Sequence, residues 1–259
     1  RFLLSSLLLA FIAFIMRATW PSSPDQILHI IVAGLLMHAG YLGGVFFSIK
    51  LGLNAGALAV ITGIQPILTA VCVGPLLGDS VTKRQWTGLW LGFLGVTFVM
   101  WEKAALEGTS IIALFCAFIS LISITAGTMY QKQFCAISDI RSMNSIQLFA
   151  SALICGLFAL SFEKNGIEWN ADIIFALSWQ VIILSAAAYS IFYWLLRKGE
   201  AIRVTSLFYL MPPATALMGY LIFNEKFGVI GIFGLLTAML GFSIIFHFGS
   251  NIVGDKSEK

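Results

Sequence analysis

The sequence predicts an all-α integral membrane protein: a ten-helix inverted repeat of five plus five, with nine helices inside these 259 residues. Three observations carry that reading. The chain is 59% hydrophobic and only 10% charged, against roughly 25% charged in ordinary soluble domains. Its apolar segments run to about twenty residues, enough to cross a bilayer as helix, and lack the period-two alternation of a membrane barrel. Its second half repeats its first at a constant offset of 146 residues.

Nine spans follow in order: 2–16, 27–49, 55–77, 86–101, 109–130, 143–162, 173–196, 204–223 and 228–248. The charges fall in the connectors 17–26, 79–84, 102–108, 132–141, 163–172 and 197–203. Asp, Lys or Arg at a span centre costs about 2.5–3.5 kcal/mol on insertion scales, which keeps such residues at helix ends. The third span carries Pro66. The fourth opens on Thr82-Lys83-Arg84-Gln85, a capping box. Gly40/Gly44, Gly74/Gly78 and Gly88/Gly92 are small-xxx-small pairs that let helices approach closely in lipid.

The repeat is read from Pro, acid and Gly in order, which matching Leu or Ala would not give. Pro66-Ile67-Leu68-Thr69-Ala70 answers to Pro212-Pro213-Ala214-Thr215-Ala216. Asp79 matches Glu225, Gly88-Leu89 matches Gly234-Leu235, and Leu94-Gly95 matches Leu240-Gly241. Span 2–16 then pairs with 143–162, so 109–130 is expected to have a partner before residue 1, a missing first helix. The expected halves are 1–104 (incomplete) and 105–250, followed by a polar cytoplasmic tail at 251–259. Alternate connectors divide the Lys/Arg ten to five: Arg17, Lys83, Arg84, Lys132, Arg141, Arg197, Lys198, Arg203, Lys256 and Lys259 against Arg1, Lys50, Lys103, Lys164 and Lys226. The positive-inside rule puts the C-terminus in the cytoplasm. Five spans separate equivalent points of the two halves, an odd number, so the halves face opposite ways. Duplicated membrane halves of this kind place a substrate site at their interface.

Several stretches together resemble one family. They are Tyr41-Leu42-Gly43-Gly44 through Ile49-Lys50-Leu51-Gly52-Leu53-Asn54-Ala55-Gly56, then Gln65-Pro66, Gly78-Asp79, Gly127-Thr128-Met129-Tyr130-Gln131-Lys132, and Tyr209-Leu210-Met211-Pro212 through Asn224-Glu225. This pattern is similar to the EamA type of the drug/metabolite transporter superfamily, over the whole chain, through diffuse motifs. Asp79 departs from the Glu more frequent there. The resemblance implies a secondary exporter of amino acids or related metabolites in a cell membrane, with both termini cytoplasmic and a small molecule as its partner.

His38 is the only ionisable side chain near the middle of any of these spans. A titratable group at that depth is by default a functional-site hypothesis. It is suited to bind a substrate carboxylate or carry a proton; the alternative is a neutral imidazole bonded to a neighbouring helix. Tyr41 shares its helical face. Thr62, Gln65, Thr128, Tyr189, Tyr193, Tyr209 and Met211 complete the candidate cavity set. Pro66 and Pro212 each remove a helical hydrogen bond and offer a bend, a gate or a static kink. Trp20, Trp86, Trp101, Trp169 and Trp179 lie near span ends, as interfacial belts do. Asp79 and Glu225 read as structural corners.

An enzyme is not expected. Cys72, Cys116, Cys135 and Cys155 have no CxxC spacing, and no HExxH, GxSxG or Walker loop occurs. No cofactor or metal is called for. The net charge of +3 gives no reason to expect nucleic acid as a partner. The competing class is a non-transporting membrane scaffold, and an uptake permease of the same fold also stays open.

Overall fold

The structure, a computed structural model, describes residues 1–78, 80–101, 110–162, 169–199, 201–211, 214, 218 and 228–248. Nine helices lie among them: α1 (Phe2–Ile15), α2 (Pro24–Lys50), α3 (Ala55–Leu77), α4 (Lys83–Met100), α5 (Ile111–Phe134), α6 (Ile140–Phe162), α7 (Ala171–Lys198), α8 (Ala201–Leu210) and α9 (Val229–Phe248). Six of them, α2, α3, α5, α6, α7 and α9, are long and apolar enough to cross a membrane. This is an all-α multi-span membrane protein. Helix α4 opens with Lys83, Arg84 and Gln85, which leaves it a shorter apolar run than those six. Pro212, Asp79, Glu225 and the tail 251–259 lie outside the described residues.

Local chemistry sets the helix starts. Ser23 accepts from the Gln26 N–H ahead of Pro24, Asn54 accepts from Ala57, and Asn170 from Ile173. Each satisfies a donor that a helix N-terminus leaves free. The Thr82/Gln85 capping box is formed reciprocally, the Gln85 Oε1 accepting from the Thr82 N–H at 2.9 Å. Helix α3 ends at Gly78, whose φ of +71° is left-handed and suits glycine.

Four helices are irregular, and the irregularities recur at the 146-residue offset. Helix α2 is π-helical over Leu35–Gly40 and α7 over Gln180–Ala188. Adding 146 to 35–40 gives 181–186, inside the second segment. Helix α3 tightens before Pro66, with Ile64 N–H bonded to Ile61 at 3.1 Å, a three-residue step. Helix α8 turns 3₁₀ over Leu207–Leu210, and 61–64 plus 146 is 207–210. Pro66 itself stands in the first turn of the segment Gln65–Leu77, where its missing N–H costs no bond.

The chain forms two compact units, each drawing on both sequence halves: residues 1–44 with 126–199, and 45–125 with 200–259. In the second unit α4 and α9 pack through glycines. A Cβ on Gly88 would stand 2.8 Å from the Gly241 carbonyl oxygen, and one on Gly234 2.8 Å from that of Gly95. The early residue of one helix meets the late residue of the other, so the pair runs antiparallel. Gly88 and Gly234 are repeat mates, as are Gly95 and Gly241, so the contact is its own two-fold image. Ile67, Ala70, Val73, Leu89, Val96, Ile202, Tyr209 and Ile245 form the adjoining core.

Candidate functional site

In the first unit, α6 is lined with polar residues buried among its neighbours. Asn144, Gln147 and Ser151 are fully buried and, at spacings of three and four, share one helical face. Away from water such groups must bond helix to helix. The Ser6 hydroxyl donates to the Ser145 carbonyl at 2.9 Å, and the Ser145 hydroxyl donates back to that of Ser6 at 3.0 Å, joining α1 to α6. Gln147 Nε2 donates to Gln131 Oε1 at 2.7 Å.

Both π segments receive side chains from α6. The Ser151 hydroxyl donates to the Gly34 carbonyl at 3.1 Å, where the first begins. Asn144 Nδ2 donates to the Ser185 carbonyl at 3.2 Å, in the middle of the second. Such π segments are rare and concentrate at functional sites.

His38 lies in the first π segment, fully buried and halfway along α2. Its Nε2 is 3.1 Å from the Tyr193 hydroxyl of α7, and the Tyr189 ring stands edge-on with centroids 4.6 Å apart. The two tyrosine rings are 5.8 Å apart and Phe2 is 6.0 Å from His38. His38 Nδ1 has no partner. Leu184, the repeat mate of His38, is 39% exposed, so the two halves differ here.

Of the residues chosen from sequence, His38, Tyr189 and Tyr193 are in mutual contact. Half-buried Tyr41 and buried Thr128 belong to the same unit. Thr62, Gln65, Pro66, Tyr209 and Met211 belong to the other. There the Thr62 hydroxyl donates along its own helix to Leu58 at 2.9 Å. Buried Gln65 has an unpartnered Nε2, and the Tyr209 ring fills the space over Gly92, its hydroxyl unpartnered. Met211 is 57% exposed. An apolar groove of about 480 Å³ in this unit is lined, among the described residues, by Phe98, Trp101, Val229, Ile230 and Phe233.

Arg1, assigned by sequence to a connector, stands instead at mid-depth. Its Nε donates to Ser185 Oγ at 3.3 Å, halfway along α7, and its guanidinium lies 5.4 Å from the Phe2 ring centre. The Lys/Arg division becomes ten to four, in the same sense. Asn144, Gln147 and Ser185 were also missed. The Asn144/Gln147/Ser151 face was readable as a helical stripe, and Gln147 is the repeat mate of Arg1.

At one end of the unit, connector 135–139 is tied down. Arg197 donates to the Ser138 carbonyl, Lys132 to that of Gly199 at 3.0 Å, and Arg141 forks onto Asp139 at 2.9 and 3.1 Å. The Arg141 guanidinium holds the Asp139 carboxyl below its ordinary range. Burial pushes the Cys135 thiol up to about 11, so it packs as an apolar group and not as a thiolate.

These features sit in a sequence whose residues 1–101 and 111–247 match the model of the EamA-like transporter family. The chain belongs to the EamA-like transporter family. Membership in a transporter family sets this multi-pass membrane protein outside the enzyme classes. It is 29% identical over 202 residues to the uncharacterized transporter YvbV of Bacillus subtilis (strain 168), covering 75% of this chain and 65% of that protein. It is 23% identical to the WAT1-related protein At3g02690, chloroplastic, of Arabidopsis thaliana, over 74% of this chain and 48% of that one. An uncharacterized transporter of Archaeoglobus fulgidus is 25% identical over 92% of this chain and 82% of its own length. The alignments thus span less than two thirds of the first two relatives. A protein crystal structure of 14% identity superposes with a TM-score of 0.80, over 94% of this chain and 84% of that one, which speaks to the fold.

Proposed function

We propose that this EamA-like protein is a secondary-active transporter that exports amino acids or related small metabolites by alternating access between two inverted five-helix repeats. The observation that carries the reading is the buried His38–Tyr193 pair, at mid-span in a π-helical segment, with Nδ1 unpartnered. A polar group kept dry at that depth, with bonding capacity left over, suits a ligand better than packing alone. Substrate and coupling-ion sites in such folds lie near the midplane, at interrupted helices.

The inverted arrangement is supported by the irregularities that recur at the 146-residue offset and by the antiparallel glycine contact. On this reading 1–104 and 105–250 are the two repeats, and the ten-to-four charge division keeps the C-terminus cytoplasmic, in a bacterial inner membrane. The break at 63–66 would then gate access, with Pro212 as its mate.

The test is flux. The full-length chain in sealed liposomes is expected to move radiolabelled amino acids down an imposed gradient, with Pro66→Ala slower at equal protein level. Vesicles inert to the whole panel would favour a membrane scaffold. Unchanged flux in Pro66→Ala would remove the gating role and leave transport standing.

A further inference from the structure

We infer that Lys132 and Arg197 form a latch closing the 135–139 end of the first unit, and that its release opens a passage to the His38–Tyr193 pair. The inference rests on the transport reading only for calling that passage a substrate route. Helices α5 and α7 end side by side, and each supplies a C-terminal cap to the other. Lys132, in the last turn of α5, donates at 3.0 Å to the carbonyl of Gly199, the residue that ends α7. Arg197, in the last turn of α7, donates to the carbonyl of Cys135, just past α5, at 3.4 Å, and to that of Ser138. Cations suit these positions, because the last carbonyls of a helix lack partners and carry its negative dipole end.

The other helix ends of the unit close on the same connector. Gln26 Nε2 of α2 donates to Ser138 Oγ at 3.0 Å, and the His29 ring stacks on Phe134 with centroids 4.6 Å apart. Ser142 of α6 donates to the Thr19 carbonyl, beyond α1, at 2.7 Å. Cys135 and Ser138 are buried among these ties. Ser185, Tyr189, Tyr193 and Arg197 recur every four residues and so share one face of α7. Arg197 stands one turn, roughly 6 Å, along that face from Tyr193, which holds His38. The face that carries the pair thus leads to the latch. Lys132 and Arg197 are half-buried, and water can replace either partner of a bond from such a cation to a helix-end carbonyl, so this closure opens at small cost. The Gln131–Gln147 bond, made at 2.7 Å between two buried amides, has no such exchange. The repeat does not account for Arg197. Its mate Leu51 packs against the apolar cluster of Leu53 and Ala113, so the duplicated position does not require a cation.

Thiol labelling of the full-length chain in sealed vesicles tests this. Two parents each keep one thiol: native Cys135 alone, and Ser185→Cys in a chain without the four native cysteines. Both positions are fully buried, so a membrane-impermeant maleimide applied from the 135–139 side is expected to react slowly with either. Arg197→Gln, and separately Lys132→Gln, should raise both rates about tenfold, the population shift that losing one charge-assisted hydrogen bond gives. Arg197→Lys, which keeps a cation for one carbonyl, should raise them less. If Arg197→Gln does not fold, Lys132→Gln decides alone. Faster labelling of Cys135 without Ser185→Cys would mean that the connector frays and no passage opens, and the latch would be wrong. Unchanged rates at both positions in the Gln variants would also remove it. Both rates rising in a chain that moves no radiolabelled amino acid would keep the latch and remove transport. Flux in a chain whose two rates neither Gln variant alters would do the reverse.

Discussion

At His38 the chain keeps an imidazole halfway along a 27-residue membrane helix, one ring nitrogen bonded to Tyr193 and the other unpartnered. Tyr193→Phe would leave Nε2 without its hydrogen-bond partner in a fully buried place. A buried polar group so orphaned costs about 1–3 kcal/mol, whereas removing both partners is nearer neutral. We therefore expect Tyr193→Phe to lower thermal stability and the double variant His38→Leu/Tyr193→Phe to recover part of it. Additive losses in that cycle would mean the two side chains are not coupled. Outside the membrane, Asp139 behaves in the ordinary acidic way. Its folded pKa is depressed by the Arg141 hydrogen bond, so its stabilisation is present above the unfolded Asp value of about 3.9 and fades as pH falls through the lower folded value. The carboxylate is partly exposed, and the contribution should stay below about 1 kcal/mol. Asp139→Asn should flatten the acid limb of an unfolding-versus-pH curve; an unaltered limb would assign it to other carboxyls. His38 was legible from sequence because a lone titratable residue at mid-span stands out. The stripe of Asn144 and Gln147 can be read from its spacing but its role cannot, because uncharged polar residues occur in many membrane helices and only their partners, Ser185 and Gln131, reveal a shared site.

Elements show where the repeat acts. The two π segments and the two tightened turns recur at the same offset, although their sequences, Leu35–Gly40 and Gln180–Ala188 for example, share few residues. No local propensity in Leu-Leu-Met-His-Ala-Gly calls for a π-helix; Ser151, arriving from α6, bonds the Gly34 carbonyl just ahead of it, and Asn144 bonds the Ser185 carbonyl inside the second segment. Capping was different. Thr82 and Gln85 are three residues apart, so that box was written locally and is found formed. The glycine contact of α4 with α9 supplies a direct test. A Cβ on Gly241 would stand 2.6 Å from the Gly88 carbonyl oxygen, whereas one on Gly156, in α6, meets nothing within 4 Å. Gly241→Val should therefore destabilise by about 1–3 kcal/mol through overpacking. Gly156→Ala should be neutral or stabilise by about 0.5–1 kcal/mol through helix propensity. Equal unfolding temperatures for the two would show that α4 and α9 are not packed this closely.

At the scale of the molecule, each compact unit takes segments from both sides of residue 104, so the packing units are not the expected halves 1–104 and 105–250. Orientation gives the matching prediction. In a variant lacking the four native cysteines, Ile137→Cys, 98% exposed in the α5–α6 connector, should react with a membrane-impermeant maleimide from the cytoplasmic side only. Lys50→Cys, at the far end of α2, should react only from the opposite side. Reaction of both from one side would break the alternation on which the inverted reading depends. Composition and span length determined by themselves that this is a multi-span helical membrane protein, and the ordered Pro, acid and Gly matches are what the proposed duplication is read from. Those properties are written in single helices and in linear spacing, because lipid requires each spanning segment to satisfy its own backbone. Tertiary structure alone decided that Arg1 stands at mid-depth and that His38 faces Tyr193, 155 residues away. It also decided which carbonyls α6 bonds. Contacts between distant helices depend on how their faces are turned toward one another, and a hydrophobic run reads much the same from every side.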